Sequence, residues 1–544
     1  MTRRKHPVDE PGEKGRSNSL YLYWGLVLLV VLSTALIRLR LRDMPLERDE
    51  GEYAYAGQLM LQGIPPYQLV YNMKLPGTYA AYAAILGVLG QTPAAIHVGL
   101  MFVNAATIVL VFLLGRRLFG QRAGVIACAS YALLSTSESV LGFAAHATHF
   151  VALPAVAGVL VLLLAIEGRR TWLYFWSGIL LGVAFLMKQP GMFFVLFGGL
   201  YLLKSESKEP VDYRGLAGRA AAFSAGAALP FAMTCLLLLR AGVFGNFWFW
   251  TFTYAGQYAS SNSWLAAIPV LELVGPGVLG SSVLVWIIAA VGVSALFWDA
   301  EGRKYAWFAG GFLLFSFLAV CPGFYFRGHY FILMLPAVSV LAGLAVTASM
   351  RKLQASGAGS LSVVPVALFV IAVGYSMVRQ SDFLFSDDPV TATRSVYAPN
   401  PFTEAPQIAG YIKAHTAPQD RIAVLGSEPE IYFYAQRRSA SGYIYSYEFM
   451  EEQKFASQMQ QDAIHAIEEA RPEYIVNVNV FFSWFPRPKS DRTIFEWSRK
   501  YLQDQYERVG VVDLLPQQAE FRWDDAASTY QPHSPNYVEV FRRK

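Results

Sequence analysis

Apolar runs of about 17 to 25 residues recur along the first 380 positions. Each is long enough to cross a hydrocarbon core of about 30 Å as a helix. The pattern predicts spans over 20–41, 94–115, 123–140, 149–166, 171–187, 190–204, 217–240, 273–297, 305–321, 329–349 and 361–379. A further apolar stretch, LPGTYAAYAAILGVLG at 75–90, opens with Pro76 and Gly77 and is short for a crossing, so it reads as a helix on or dipping into the outer leaflet. After Arg379 the pattern changes. The polar SDFLFSDDPVTATRSVYAPNP gives a linker over 380–402, and residues 403–544 alternate helix-like and strand-like segments, among them RIAVLG, EEQKFASQMQQDAIHAIEEA and YIVNVN. The expected fold class is a polytopic α-helical membrane protein of about eleven spans with a C-terminal extracytoplasmic α/β domain.

Composition agrees with a bilayer protein: 54% of residues are hydrophobic and 15% charged, against about 25% charged in an ordinary soluble domain. The net charge of +5 comes from Lys and Arg in short connections between spans, which argues against nucleic-acid binding. Those connections fix the orientation instead. GRRLFGQR, EGRRT, KSESKEPVDYRGLAGR, DAEGRKY and MRKLQ fall on the same side as the basic tail 1–19, expected to be cytoplasmic, while the outer connection Gly242–Leu271 has no Lys or Arg. Arg38, Arg40 and Arg42 oppose this but are outweighed. Loop 43–93 and the C-terminal domain are then expected outside an inner (plasma) membrane. Cys128, Cys235 and Cys321 have no metal or disulfide spacing.

Loop 43–93 opens with ERDEGEYAYAG, in which Asp49, Glu50 and Glu52 stand at the membrane surface ahead of a helix-like pattern ending at Gly63. Adjacent carboxylates in a partly dehydrated niche suit a general base, since desolvation and like-charge proximity raise one pKa; solvated surface acids are the plain alternative. In SESVLGFAAHATHF, His146 and His149 share helical spacing and could orient an acceptor hydroxyl, or hold a divalent metal with Glu50 or Glu138. Lys188, in FLMKQPG, and Arg327 with His329, in CPGFYFRGHYF, occupy other outer turns. Together they provide the cationic groups at one depth that a phosphate headgroup needs. The aromatic connection GNFWFWTFTYAGQYASSNSW reads as an interfacial belt.

The ordered set of the DE pair, the PG-containing helix, LLGRRLFGQRAG, GVAFLMKQPGMFF and YFRGHYFILMLP resembles the GT-C membrane glycosyltransferases. Within them it is most similar to the branch of protein O-mannosyltransferases and the lipid A aminoarabinose transferase, over roughly residues 20 to 350. The resemblance implies sugar transfer from a polyprenyl-phosphate carrier to an acceptor on the outer side, usually with inversion. The acceptor would be an envelope lipid, glycan or protein. Asp49 matches the catalytic base and Glu50 its companion; Lys188, Arg327, His329 and the adjoining Tyr330 match the side facing the donor phosphate. Where the family commonly offers an acid in the second outer loop this chain reads HATHF, which leaves His146, His149 or Glu138 to position the acceptor. A transporter, or a noncatalytic assembly or sensor protein, is the rival reading. A transporter would show repeated halves and charges near mid-membrane, whereas here the charges gather at one face.

Overall fold

The computed structural model describes residues 13–207, 212–260, 263–516 and 518–544. Its first part is helical: α1 (Glu13–Arg40), α2 (Arg48–Leu61), α3 (Gly77–Leu89), α4 (Pro93–Phe119), α5 (Gln121–Leu134), α6 (Ala147–Gly168), α7 (Thr171–Met187), α8 (Met192–Glu206) and α9 (Tyr213–Arg240), then helices Ala267–Leu279, Val283–Trp298, Ala306–Val320, Leu335–Ala355 and Val364–Arg379. All eleven predicted runs fall on helices. Among the described residues, six segments are long and apolar enough to cross a bilayer by length and composition: Leu20–Arg40, Pro93–Phe119, Ala147–Gly168, Tyr213–Arg240, Trp264–Trp298 and Gly359–Arg379. Leu29, Leu36, Leu237 and Val378 stand exposed on these helices, as side chains facing lipid do.

Local chemistry sets the helix ends. α4 starts where Thr92 accepts from the Ala95 N–H at 3.1 Å with Pro93 in the first turn, and it stops at Gly120, whose φ of 92° suits glycine. Three predicted runs differ in detail: the helix of the run 123–140 ends at Leu134. The run 273–297 is broken at Gly280, and the run 329–349 opens as a tight turn, Gly328–Leu333, its helix beginning only at Leu335 beside Pro336. His329 and Tyr330 therefore sit in the turn ahead of that helix.

The segment expected as a polar linker is folded. Phe383 and Leu384 are buried against Phe143, and the Arg40 guanidinium donates to the Phe383 carbonyl at 3.0 Å. Beyond it a six-stranded sheet is ordered β2-β1-β3-β6-β4-β5, comprising β1 (Arg421–Leu425), β2 (Arg438–Ser439), β3 (Tyr474–Asn479), β4 (Tyr506–Leu514), β5 (Ala519–Trp523) and β6 (Tyr537–Arg543). β1 pairs in parallel with β2 and β3, with Val424 opposite Val476, while β6 runs antiparallel between β3 and β4.

Loop 43–93 is clamped between the two parts. Tyr71 N–H donates to the Gly442 carbonyl at 2.8 Å, and Leu46 N–H to Tyr434 Oη at 2.8 Å. A Cβ on Gly51 would lie 2.5 Å from the Glu430 backbone nitrogen, so only glycine lets α2 approach that closely. The aromatic connection differs from the expected belt. Trp248 and Trp264 are exposed, but Phe247, Trp250 and Tyr254 are buried in a cluster with Tyr67, Tyr71 and Tyr443, because loop 43–93 and the C-terminal domain together offer an apolar face.

Candidate active site

α2 carries the acidic motif, and its start is a capping box: Glu50 N–H donates to Glu47 Oε1 at 2.9 Å, and Glu47 N–H points back to Glu50 Oε2 at 3.4 Å. This turn distributes the acids to different surroundings. Glu50 points into protein, where Ala145 N–H donates to Oε1 at 2.6 Å and His97 Nε2 lies 3.0 Å away. Glu52 is fully buried, accepting from Tyr79 Oη at 2.5 Å, Asn72 Nδ2 at 3.1 Å and Lys74 Nζ at 2.5 Å. Neither Glu47 nor Glu52 is a solvated surface acid, the plain reading of the sequence: both are buried, Glu52 among Asn72, Lys74 and Tyr79 and Glu47 beside Glu50 and His146. Burial pushes the Glu47 carboxyl up to about 7, with Asp49 and Glu50 adding to the shift.

Asp49 faces a cavity of about 750 Å³ between the helices and the C-terminal domain. Its Oδ1 accepts from Lys74 Nζ at 2.7 Å and Tyr445 Oη at 3.0 Å. Its Oδ2 lies 3.7 Å from His146 Nδ1 and 3.8 Å from His329 Nε2. Burial works to raise the Asp49 pKa, but Lys74 and the two histidines outweigh it and hold the carboxyl well below its usual range. Lys188, Arg327 and Tyr330 line the same cavity. The Lys188 ammonium sits 4.2 Å over the Tyr330 ring. Burial brings Lys188 down to about 7, against the pull of Asp49. Arg327 is held firmly charged, Tyr258 contributing most.

His146 and His149, expected to act together, are separated. α6 begins at Ala147, so His146 is an extended residue ahead of the helix, and the side-chain spacing that would pair it with His149 does not apply. His146 stacks on His329 instead, with centroids 4.1 Å apart. His149 Nε2 lies 3.0 Å from the Gly142 carbonyl, outside the cavity lining. Glu138 is also away from the cavity, half-buried beside Gln380.

Asp49, His146 and His329 offer three ligand atoms within 4.8 Å of one another, a group that could hold a divalent ion. Both ring nitrogens of His146 are buried without a hydrogen-bond partner, as is His329 Nδ1, and burial and His146 keep the His329 pKa well below its ordinary range, leaving a lone pair free. The donor set fits such an ion.

Sequence reasoning missed Lys74, although it is the one lysine of loop 43–93 and stands just before the PG of α3. It also missed the C-terminal contribution. Tyr445, Tyr447, Glu448 and Glu451 line the cavity, and Arg48 joins Glu428 at 3.2 Å and Tyr447 across the same junction. These partners lie some 400 positions from α2, beyond any local pattern.

The fold is found in known structures. ArnT from Cupriavidus metallidurans, bound to undecaprenyl phosphate, superposes with a TM-score of 0.58 at 15% identity over 96% of this chain and 98% of its own. The archaeal oligosaccharyltransferase AglB from Archaeoglobus fulgidus, in complex with an inhibitory peptide and a dolichol-phosphate, gives 0.53 at 15% identity over 93% and 75%. The chain shares the overall fold of these two proteins. Residues 74–225 match the family model for dolichyl-phosphate-mannose-protein mannosyltransferase. By sequence, no curated protein matches the chain.

Proposed function

We propose that this protein is a membrane glycosyltransferase that moves a sugar from a polyprenyl-phosphate carrier to an acceptor at the outer face of the plasma membrane, with Asp49 as base. One observation carries the reading: a single cavity is lined by the Asp49 carboxylate and, from two other turns of the chain, by the basic residues Lys188 and Arg327. Carboxylate and cations suit the two ends of an in-line displacement. The acceptor hydroxyl attacks the anomeric carbon from the Asp49 side, and the bond from that carbon to the phosphate oxygen breaks with its electron pair passing to the phosphate. Lys188 and Arg327 stabilise the charge gained there, and Tyr330 holds the Lys188 ammonium in place. As the new bond forms, the attacking oxygen becomes strongly acidic, so a carboxylate of low pKa suffices to take its proton. Lys74 and Tyr445 fix Oδ1 and leave Oδ2 toward the chamber. Attack opposite the leaving group inverts the anomeric carbon.

Asp49, His146 and His329 would hold a divalent ion, which when bound supplies positive charge to orient and acidify the acceptor hydroxyl. Glu50 acts on the site through the capping box and the 145 backbone rather than by touching substrate. A transporter is disfavoured because the charges gather under a domain at one face.

The test is release of polyprenyl phosphate from radiolabelled polyprenyl-phosphate sugars by the purified protein in nanodiscs with envelope extract as acceptor. Protein-dependent release and label transfer are expected for one sugar, and no release from any overturns the reading. Comparing surface glycans and lipids of a deletion strain with its parent then names donor and acceptor together.

A further inference from the structure

The wall of the cavity contributed by the C-terminal domain carries two acids that the reaction above does not use. Glu448 sits in the short helix Tyr447–Met450, three residues after Tyr445, whose hydroxyl donates to Asp49. It lines the cavity, is only 4% exposed, and its Oε2 has no hydrogen-bond partner. Glu451 lines the cavity beside it and accepts at Oε2 from Tyr254 Oη at 2.6 Å. Nothing in the fold requires a carboxyl at 448. Arg48 is committed to Glu428, and Lys74 to Asp49 and Glu52. An unpaired buried carboxyl is a cost to the fold unless a ligand satisfies it.

The chemistry of that ligand follows from its surroundings. Burial pushes both acids toward their neutral forms, so they offer none of the positive charge a phosphate needs; the phosphate belongs with Lys188 and Arg327. A neutral polyhydroxyl group instead both donates to a carboxyl's C=O and accepts from its O–H, and two acids three positions apart can take neighbouring hydroxyls. A sugar whose anomeric carbon is at Asp49 would extend its ring along this wall, because Tyr445 ties Asp49 to the segment carrying Glu448. We propose that Glu448, with Glu451 beside it, binds ring hydroxyls of the transferred sugar, so that the C-terminal domain supplies the donor-sugar specificity of the site. This rests on the glycosyltransferase reading above.

The proposal is tested by binding to the full-length protein in nanodiscs, with decaprenyl phosphate as one probe and decaprenyl phosphates bearing mannose, glucose, galactose or arabinose as the others. Wild type is expected to bind one glycosylated carrier at least tenfold more tightly than the bare carrier. Glu448→Gln should leave the bare-carrier Kd within twofold and remove most of that tenfold preference, and Glu448→Asp should retain part of it at an unchanged thermal midpoint. Equal loss for both probes, an unaltered preference in Glu448→Gln, or a wild type with no preference for any sugar overturns the subsite. Failure of wild type to bind even decaprenyl phosphate counts instead against the glycosyltransferase reading.

Discussion

Lys74 Nζ lies 2.7 Å from Asp49 Oδ1 and 2.5 Å from Glu52 Oε2, so one ammonium serves a carboxylate facing the cavity and another wholly buried behind it. Structure and chemistry at this site therefore share a residue, and variants can separate them.

Lys74→Met leaves Glu52 buried without its charge partner, a loss expected to cost about 3 to 5 kcal/mol. The thermal midpoint of the purified protein should fall by several degrees and transfer should cease. Lys74→Met with Glu52→Gln should regain much of the midpoint but none of the transfer, since Asp49 still lacks its ammonium. An unchanged midpoint in the single variant contradicts the shared role.

Lys188→Ala and Arg327→Ala should each weaken polyprenyl-phosphate binding by roughly 10- to 100-fold, the loss of a charge-assisted contact of about 1.5 to 3 kcal/mol. Lys188, lowered by burial to about 7, loses its proton as the pH rises through that value. Carrier affinity should therefore be higher at pH 6 than at pH 8, and Lys188→Arg should flatten the profile. A flat profile in wild type argues against a phosphate at Lys188.

The triad predicts that metal-stripped protein takes up about one equivalent of Zn²⁺ or Mn²⁺ in equilibrium dialysis, and that His146→Ala and His329→Ala abolish the uptake. Uptake that survives both substitutions removes the ion from this site.

Much of the frame was legible because hydrophobic run length responds to the bilayer and little else: the predicted runs fell on helices, although only six segments among the described residues are long and apolar enough to cross by length and composition. The cationic turns holding Lys188 and Arg327 were legible for the same reason, since an isolated charge between spans is conspicuous. Pairing His146 with His149 assumed a helix that begins one residue too late for His146. The resemblance singled out Asp49 and Glu50, but the surroundings of the four acids between Glu47 and Glu52 were not legible in the sequence, because what sorts them is contact with Lys74, His97 and a domain 400 positions away. Glu448 carried no signal at all, as one of the three acids in YSYEFMEE becomes notable only when its carboxyl is buried without a partner.

Glu430, under the Gly51 contact, has both carboxyl oxygens buried and unpartnered. Burial, and then Glu428, raise its pKa well above the ordinary 4.5. A raised folded pKa means that the stability this carboxyl contributes is full below the unfolded value and is lost as the pH rises through the folded one. Glu430→Gln should therefore flatten the decline in thermal midpoint above about pH 4.5 and leave the protein more stable than wild type at pH 8. A parallel decline in both proteins refutes the assignment.

Asp49→Asn tests the central claim most directly, because it removes the base while keeping the shape of the side chain and an oxygen for Lys74 and Tyr445. With label transfer from the polyprenyl-phosphate sugar as the readout, the rate should fall by at least 100-fold while carrier binding and thermal midpoint stay near wild type. Turnover at the wild-type rate would contradict the assignment of Asp49 as the base.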